Sequence, residues 1–560
     1  MGASHIVAAP DPLFGSHGQL TRRPDMRLKA FGLLLVAAPL EAQQLRGTVT
    51  DSASRLSIPG AVVTTLDSAG GIGRRSVTDE RGTYVVTAPP ATRRLRIVRL
   101  GFRPVEVDLP ADRTEGGQTT VNVFMTRIPY RLQPVRVTAG ANCPRRSDRA
   151  AALALLEQAR AGLLATVVAR SERPAQMKRL MIERRMAGTS DRIARHHVRV
   201  ETVPSTVASF RAARSATNFV RQGFVADSAD DATFFAPDAD VLLDDGFAAG
   251  YCFHIMDRDR ARPNQVGLGF KAADRRRGRI DVQGALWIDT VARALVDIVF
   301  RYEGLDRELD RYEPGGWVRF REMANGVVLI DQWCLRLVGP ERSAGYVIAE
   351  IGGELARATW PDGTTWVASL GTLALTVTNL AGEPMPGMVV RLDDTDYRAT
   401  TDSLGRLEIV DLAPGPYSAL VGDTRLEPLG VAIRTPMSFM ATRGQTRLLT
   451  LRTPTAEEYV RERCRKSGQQ VEGTALLIGR VANERKQPMQ DVSWTLRLEN
   501  GSAEERILPG VTGSDGIFHY CNASRFSRAS FRFSGHGEIL SMSETLNEPL
   551  NVFSVTMSSR

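Results

Sequence analysis

The chain has 560 residues, a formal net charge of +9, 43% apolar residues and 24% charged residues. These proportions are ordinary for globular proteins and exclude a largely disordered chain. The length predicts three to five domains. The basic residues are spread along the sequence and form no clustered face with interleaved aromatic residues, so we expect no nucleic-acid partner.

The N-terminal residues predict export. Met26–Lys29 forms a basic start, Ala30–Leu40 is apolar, and Ala42 supplies a small residue for cleavage. This is the pattern of a secretory signal peptide, and it is too short to span a membrane as a helix. We therefore predict that 1–42 is an N-terminal extension and signal peptide, with Met26 as an alternative start. The mature protein would be periplasmic, associated with the outer membrane or secreted, and would carry no transmembrane segment.

One turn pattern occurs three times along the chain. Each copy has a strand, a proline turn, a second strand, a tight glycine turn and a third strand, and β-branched residues favour the extended segments. Irregular spacing between the copies indicates a duplicated domain and not a solenoid. Short strands separated by turns predict three small antiparallel β-sandwiches. The copies are 58–63 with 78–84, 385–390 with 401–407, and 487–492 with 512–518.

The motifs of the first copy resemble those of the carboxypeptidase regulatory-like domain. They are G-x-V-x-D at Gly47–Asp51, P-G-A-x-V at Pro59–Val63, T-D-x-x-G-x-Y at Thr78–Tyr84, and L-G-F at Leu100–Phe102. The resemblance implies a prealbumin-like (transthyretin-like) sandwich, a fold grouped with carbohydrate-binding-like folds. It also implies no zinc site, although such domains accompany metallocarboxypeptidases.

The fold class predicted is mainly β, with three β-sandwiches flanking an α+β domain made of a helix and a curved antiparallel sheet. The helix is expected over Ser147–Arg170, where apolar residues share one side. Hairpins are expected at Asp289-Thr290 and, as a type I′ turn, at Asn325-Gly326. The predicted segments are sandwiches at 43–128, 371–452 and 474–560, the α+β domain at 147–360, and linkers at 129–146 and 453–473, the second partly helical.

Two further stretches resemble known families. Residues 265–340, with their G-x-L-W-x-D run, are similar to the outer-membrane lipoprotein-sorting fold, which implies a half-barrel that cradles lipid. The stretch Ile128–Ala139 is similar to the linker after this same module in TonB-dependent receptors, which implies a partner in that receptor system. The remaining sequence holds further soluble modules, so we do not expect a complete transporter.

Export permits disulfides among the five cysteines. We predict the pairs Cys143–Cys252 and Cys464–Cys521, with other pairings left open. Cys334 lies in an apolar strand and is expected to be a buried free thiol. Each disulfide would contribute about 2–4 kcal/mol, which matters for a small sandwich.

The sequence carries no H-E-x-x-H, G-x-S-x-G or P-loop motif. We therefore predict no enzyme activity, no cofactor and no metal site. An acidic stretch with two phenylalanines is the candidate surface patch, with a solvated loop or a calcium loop as its two interpretations. Its members are Asp230, Asp231, Phe234, Phe235, Asp238, Asp240, Asp244 and Asp245.

Together these features predict a non-catalytic exported protein of the cell envelope that binds or scaffolds. It would recognise a glycan, a peptide or an envelope protein through sandwich loops and sheet edges, because loops on rigid sandwiches commonly carry recognition. One alternative is a periplasmic carrier that holds a lipid or another apolar ligand in the half-barrel-like domain. A second alternative is a hydrolase with an unrecognised site.

Overall fold

The computed structural model describes residues 43–110, 118–128, 146–207, 219, 222–227, 232–273, 278–341, 345–433, 436–500, 503–535 and 537–558. The predicted signal peptide and nearly all of the first predicted linker lie outside the described residues. The chain divides into two compact units, Met1–Arg195 with Val200–Ala368 and His196–Arg199 with Ser369–Arg560. The fold is mainly β, as the sequence predicts.

The first sandwich consists of two sheets around one apolar core. One sheet has the order β4–β1–β7, with β8 also pairing with β1, and the other has the order β3–β2–β5–β6. Buried and exposed residues alternate along β4, which places Tyr84 and Val86 in the core. The strands are β1 (Gln43–Asp51), β2 (Val62–Asp67), β3 (Ile72–Val77), β4 (Thr83–Ala88), β5 (Thr92–Val98), β6 (Val105–Asp108), β7 (Gln118–Thr120) and β8 (Val123–Met125).

A long helix and a large antiparallel sheet follow. The ten-stranded sheet has the order β10–β9–β19–β18–β17–β16–β15–β14–β13, and β20 pairs with β19. The elements are α1 (Arg146–Glu172), β9 (Gln176–Met186), β10 (Ile193–Pro204), β11 (Val225–Asp227), β12 (Ala232–Phe234), α2 (Ala239–Leu243), α3 (Asp245–Gly250), β13 (Tyr251–Ile255), β14 (Gln265–Ala272), β15 (Asp281–Asp289), β16 (Ala294–Glu303), α4 (Arg307–Asp310), β17 (Gly315–Glu322), β18 (Val328–Glu341), β19 (Gly345–Thr359) and β20 (Thr365–Val367).

Helix α1 buries one face of this sheet. Its Leu155, Leu156 and Leu163 share a core with every second residue of β14 to β17, such as Leu268 and Phe300. The segment Ala150–Glu172 is long and apolar enough to cross a membrane, as the core helices of some soluble proteins also are, and 61% of its most apolar part is buried in the fold. The apolar surface of α1 is therefore accounted for by packing.

Both predicted hairpins are present, and one turn differs from the prediction. Strands β15 and β16 pair across Asp289 and Thr290, and β17 pairs with β18 across Asn325 and Gly326. Gly326 has a φ of 77°, whereas Asn325 has no positive φ. A type I′ turn needs positive φ at both central residues, so that assignment is wrong. Gly326 instead closes a turn in which its amide donates to Met323 O at 2.9 Å.

The second unit repeats the sandwich twice. The sheets have the orders β24–β21–β27 and β23–β22–β25–β26, then β31–β28–β34 and β30–β29–β32–β33. The elements are β21 (Gly371–Thr378), β22 (Met388–Leu392), β23 (Arg398–Thr400), β24 (Arg406–Leu412), β25 (Gly415–Asp423), β26 (Met437–Ala441), β27 (Thr446–Arg452), α5 (Ala456–Lys466), β28 (Ala475–Ala482), β29 (Ser493–Asn500), β30 (Ala503–Val511), β31 (Ile517–Ala523), β32 (Arg528–Gly535), β33 (Glu538–Thr545) and β34 (Leu550–Thr556).

A buried threonine holds the proline turn in all three sandwiches. The Thr78 hydroxyl donates to Ile58 O at 2.7 Å and accepts from Ala61 N at 2.8 Å. Thr401 makes the same two bonds with Met385 O and Met388 N at 2.7 and 2.9 Å, and Thr512 repeats them with Met489 O and Val492 N at 2.8 and 3.0 Å. A buried backbone group without such a partner would cost about 1–3 kcal/mol, so the hydroxyl fixes this turn.

The glycine of the following turn is equally constrained. Gly82, Gly405 and Gly516 have φ values of 69°, 69° and 68°. A Cβ at these positions would lie 2.5, 2.4 and 2.5 Å from the carbonyl oxygen of Val49, Val377 and Val481, in that order. Only glycine accepts both the left-handed φ and this approach to the backbone. The repeated sequence pattern therefore reflects repeated backbone geometry.

Helix α5 covers the outer face of the three-stranded sheet in the third sandwich. Thr455 and Glu458 form a capping box at its start. The helix packs against β28 and β31, and Leu476 and Ile478 of β28 are fully inaccessible. A disulfide joins Cys464 of α5 to Cys521 of β31, and Arg463 pairs with Asp515 at 2.7 Å. The predicted pairing of these two cysteines is thus present in the structure.

The first sandwich packs against the helix and the large sheet. Leu100 and α1 belong to one core. Arg99 donates to both carboxylate oxygens of Glu322 at 2.7 Å. The Pro59-Gly60 turn also meets the tip of the β17–β18 hairpin, because a Cβ at Gly60 would lie 2.7 Å from Gly326 O. Two turns that the sequence predicts separately therefore form one close backbone contact.

We predict that Gly60→Ala destabilises the protein by about 2–4 kcal/mol. The added methyl group would collide with the backbone of Gly326, and alanine would have to adopt a left-handed conformation that it disfavours. Gly387→Ala is the matched control, since Gly387 has a similar φ of 71° but open space around its Cβ position. The control should cost only about 1 kcal/mol. Urea unfolding and hydrogen exchange at the β17–β18 hairpin measure the difference. Equal losses with unchanged exchange would show that the two turns do not pack in solution.

Candidate functional site

The acidic stretch proposed as a surface patch is mostly structural. Asp230 and Asp231 lie outside the described residues. Phe235 is buried in the core of the helix and sheet, and Phe234 packs edge-on against Tyr302 with ring centroids 5.2 Å apart. The prediction of an exposed aromatic pair is therefore wrong, because this segment inserts its rings between the sheet and α1.

The remaining aspartates organise two short helices. The Asp238 carboxylate accepts from Val241 N at 2.8 Å and caps α2, and Asp244 accepts from Gly246 N at 2.8 Å and caps α3. Asp240 pairs with Arg170 at 2.9 Å, and Asp245 pairs with Arg160 at 2.7 Å. These carboxylates are engaged with backbone amides and α1, and within the described residues no group of three or more metal-ligating side chains converges.

Burial changes the acidity of one of these groups. It raises the pKa of Asp238 to about 6, and the neighbouring charge of Asp240 adds to this effect. The hydrogen bond from Val241 N and the charge of Arg170 oppose it. Asp238 thus holds its proton more tightly in the folded chain than in the unfolded chain.

A cleft of about 700 Å³ lies on the face of the large sheet opposite α1. This volume is within the range of ligand pockets. The residues that line it come from β13 to β19, seven neighbouring strands. Six spacings of about 4.8 Å give it a length of about 29 Å. The cleft exists because one helix covers only one side of the sheet.

The strand register arranges the open face in rows that cross the strands. The floor row is mainly apolar or small. Each member is the cross-strand partner of the next, and the row consists of His254, Gly269, Ala285, Val299, Trp317, Cys334 and Gly352. A parallel row, two residues further along the strands, is polar and consists of Lys271, Gln283, Arg301, Gly315, Arg336 and Glu350. The cleft is therefore amphipathic across its width.

Two glycines of β14 make room at one end of the floor. A Cβ at Gly269 would lie 2.4 Å from the His254 ring, and a Cβ at Gly267 would lie 2.9 Å from the Met256 side chain and 3.0 Å from the Trp287 ring. These side chains therefore lie flat over β14 instead of standing up into the cleft. A side chain at either glycine would push them into the space that the cleft occupies.

Hydrogen-bonded arginines cover two tryptophans of the cleft. The Arg262 guanidinium lies 4.6 Å from the Trp287 ring centroid and donates to Asp297 at 2.9 and 3.0 Å. Arg319 lies 4.4 Å from the Trp317 ring centroid and donates to Gln332 at 2.9 Å. One face of each tryptophan is thus taken by an arginine, which leaves less ring surface for stacking on a sugar.

The cleft contains a potential nucleophile, Cys334, and a potential base, His254, but the two are poorly placed for catalysis. Burial, with the charge of Glu350, raises the pKa of the half-buried Cys334 thiol to about 12, so the thiol is protonated at neutral pH. Burial also lowers the pKa of His254. The two side chains belong to β13 and β18, about 24 Å apart across five strand spacings. They do not form a Cys–His pair, which would need hydrogen-bond reach.

The other cysteine predictions have different outcomes. Cys334 is a free thiol, as predicted, but it is half-buried. Cys252 takes part in a disulfide, whereas Cys143 lies outside the described residues, so the pairing of these two stays a prediction. The resemblance of residues 265–340 to the lipoprotein-sorting fold implied a ligand-holding sheet, but the residue patterns did not show the two rows, because the rows become visible only once the strand register is known.

Residues 44–126 match the family model of the carboxypeptidase regulatory-like domain. This match confirms the resemblance that the motifs of the first sandwich carry. It covers one of the three sandwiches and a minor part of the chain. No curated protein matches the sequence.

A comparison with solved structures found weak similarities. The TIE protein of Bacillus anthracis has 10% identity and a TM-score of 0.15, and the match covers 59% of this chain and 63% of that one. A variant of BcpA, the major pilin subunit of Bacillus cereus, has 10% identity, a TM-score of 0.15 and coverage of 74% and 99%. A streptococcal ancillary pilin has 10% identity, a TM-score of 0.16 and coverage of 41% and 81%. At these TM-scores the likenesses carry no conclusion about function.

We predict that Asp238→Asn stabilises the protein at pH 7.5 and not at pH 4. Asn keeps the capping oxygen but cannot ionise. Because the folded-state pKa of Asp238 is raised, its contribution to stability is greatest below about pH 4 and is lost as the pH rises through about 6. The gain at pH 7.5 should be on the order of 1–3 kcal/mol. Urea unfolding of both proteins at the two pH values tests this, and a gain that is independent of pH would contradict it.

Proposed function

We propose that the protein is a non-catalytic, exported binding protein that holds an elongated, largely apolar ligand in the cleft of the large sheet. The observation that supports this most directly is the floor row. It presents Ala285, Val299 and Trp317 on consecutive strands of a face that α1 does not cover. Val299 is 39% exposed, whereas its neighbours on β16, Ile298 and Phe300, point to the opposite face and are buried.

The shape and chemistry of the cleft favour a long apolar ligand over a sugar. A cleft of about 29 Å suits an extended chain, and its floor row consists mainly of small or apolar residues. The aromatic rings needed for sugar stacking are each covered on one face by an arginine. The faint similarity of residues 265–340 to the lipoprotein-sorting fold agrees with this ligand class.

The first sandwich then acts as a rigid support of the large sheet. Its proline turn is fixed by the buried Thr78 hydroxyl, and it is joined to the sheet through Arg99 and Glu322. Support for export comes from the signal-peptide pattern and from the disulfide Cys464–Cys521, because disulfides persist in oxidising compartments. Support for a non-catalytic role comes from the distance between Cys334 and His254.

The proposal predicts that Val299→Arg weakens the binding of Nile red, a neutral apolar probe, by at least about tenfold, because a charge would occupy the floor. Val85→Arg is the matched control, since Val85 is an exposed valine on β4 of the first sandwich. Fluorescence titration of the full chain measures binding, and native mass spectrometry tests whether wild type alone retains a copurified apolar ligand. Equal Nile red binding by all three proteins would refute the cleft as the site.

Recognition of an extended peptide at a sandwich edge is the second candidate. Strand β33 is an open edge of eight residues. The equivalent edge strands of the other sandwiches, β6 and β26, have only four and five residues. Each of these two shorter strands also follows a proline, which limits strand pairing. A long edge can accept an added strand. Ile539 lies on the exposed side of β33.

If β33 binds peptides, Ile539→Lys should abolish peptide signals on an array of immobilised peptides and glycans, because edge lysines oppose strand addition. Met440→Lys on β26 is the matched control, since both side chains are 59% exposed, and it should leave the signals unchanged. Signals restricted to glycans, or equal loss in both variants, would eliminate this candidate.

A further inference from the structure

The polar row of the cleft contains three cations whose situations differ. The Lys271 ammonium pairs with Glu303 at 3.2 Å. Arg336 pairs with Glu350 at 3.4 Å and with Asp191 at 3.0 Å. The charges of these two side chains are therefore already balanced by carboxylates of the protein.

Arg301 stands between them without such a partner. It is exposed on β16, and across the part of the chain that the structure describes its guanidinium has no ion pair or hydrogen bond. Its cross-strand neighbours are Gln283, which is neutral, and Gly315, which has no side chain. Lys271 and Arg336 each lie two strands away, about 10 Å along the row. The surroundings of Arg301 thus leave space beside an unbalanced positive charge.

Two carboxylates lie near this charge. Glu303, two residues further along β16, already pairs with Lys271, and the second is Glu313. Glu313 is exposed, lines the cleft and lies two residues before Gly315. Its side chain makes no ion pair among the described residues. Any negatively charged group that approaches Arg301 would therefore be attracted by the guanidinium and repelled by Glu313.

We propose that Arg301 makes the cleft selective for an amphiphile with one anionic group, such as a carboxylate or phosphate. The anion forms charge-assisted hydrogen bonds with Arg301 in the polar row, and the apolar chain lies along the adjacent floor row over Ala285 and Val299. This inference rests on the proposed function. It adds that the ligand is negatively charged and that Arg301 is the residue that binds the charged group.

The test compares two competitors with the same chain length, hexadecanoate and hexadecanol, in displacing Nile red from the full-length protein at pH 8. Wild type should bind hexadecanoate about tenfold more tightly, and the preference should shrink with added sodium chloride because the site is partly exposed. Arg301→Gln should weaken hexadecanoate binding about tenfold relative to hexadecanol and so remove the preference. Glu313→Gln should increase the preference, since it removes the opposing charge.

Arg357→Gln is the matched control, because Arg357 is an exposed arginine on β19 that does not line the cleft. It should keep the wild-type preference. If wild type binds both competitors equally, or if Arg301→Gln keeps the preference, the role of Arg301 is wrong and the apolar cleft stands. If neither competitor displaces Nile red, or Nile red does not bind, the proposed function itself fails.

Discussion

A ten-stranded sheet has two large faces, and this one has a single long helix to cover them. Helix α1 packs its leucines against one face and builds the main core there. Part of the other face carries a small apolar cluster with Met186, Val338 and Ile348, and the cleft part meets solvent or a ligand. This face has an apolar floor row next to a charged row, a composition that differs from both a core and an ordinary surface. The candidate site is the direct consequence of this one-sided packing.

Limited packing also explains the structure of the sandwiches. The sandwiches are small, so each depends on a few fixed turns in which a buried threonine bonds both strands of the proline turn and a glycine lies against a carbonyl oxygen. In the first sandwich the proline turn gains a second role, because Gly60 meets Gly326 of the large sheet. In the third, Asp515 lies beside the turn glycine and pairs with Arg463 of α5. Duplicated modules have thus acquired different contacts through the same loops.

The arrangement of charged side chains on the open face is set by the pairing of the strands. Most carboxylates of this chain that the sequence drew attention to are capping groups or partners of α1, as Asp238 and Asp240 show. The charges relevant to binding are instead scattered over distant parts of the sequence, at Lys271, Arg301 and Arg336. Only pairing between strands brings them into one row, and only their different partners distinguish Arg301 from the other two.

The sequence by itself determined the local structure. Proline, glycine and aspartate at fixed offsets predicted the turns, the apolar stripe predicted α1, and the repeated motifs predicted three sandwiches, because these features depend on backbone preferences of neighbouring residues. It also indicated the pairing of Cys464 with Cys521. The tertiary structure alone decided that Phe235 is buried, that two separate glycine turns touch, and that Val299 and Arg301 face the same cleft. Those outcomes depend on strand register and on which face the helix covers, and neither is encoded within any short stretch of the chain.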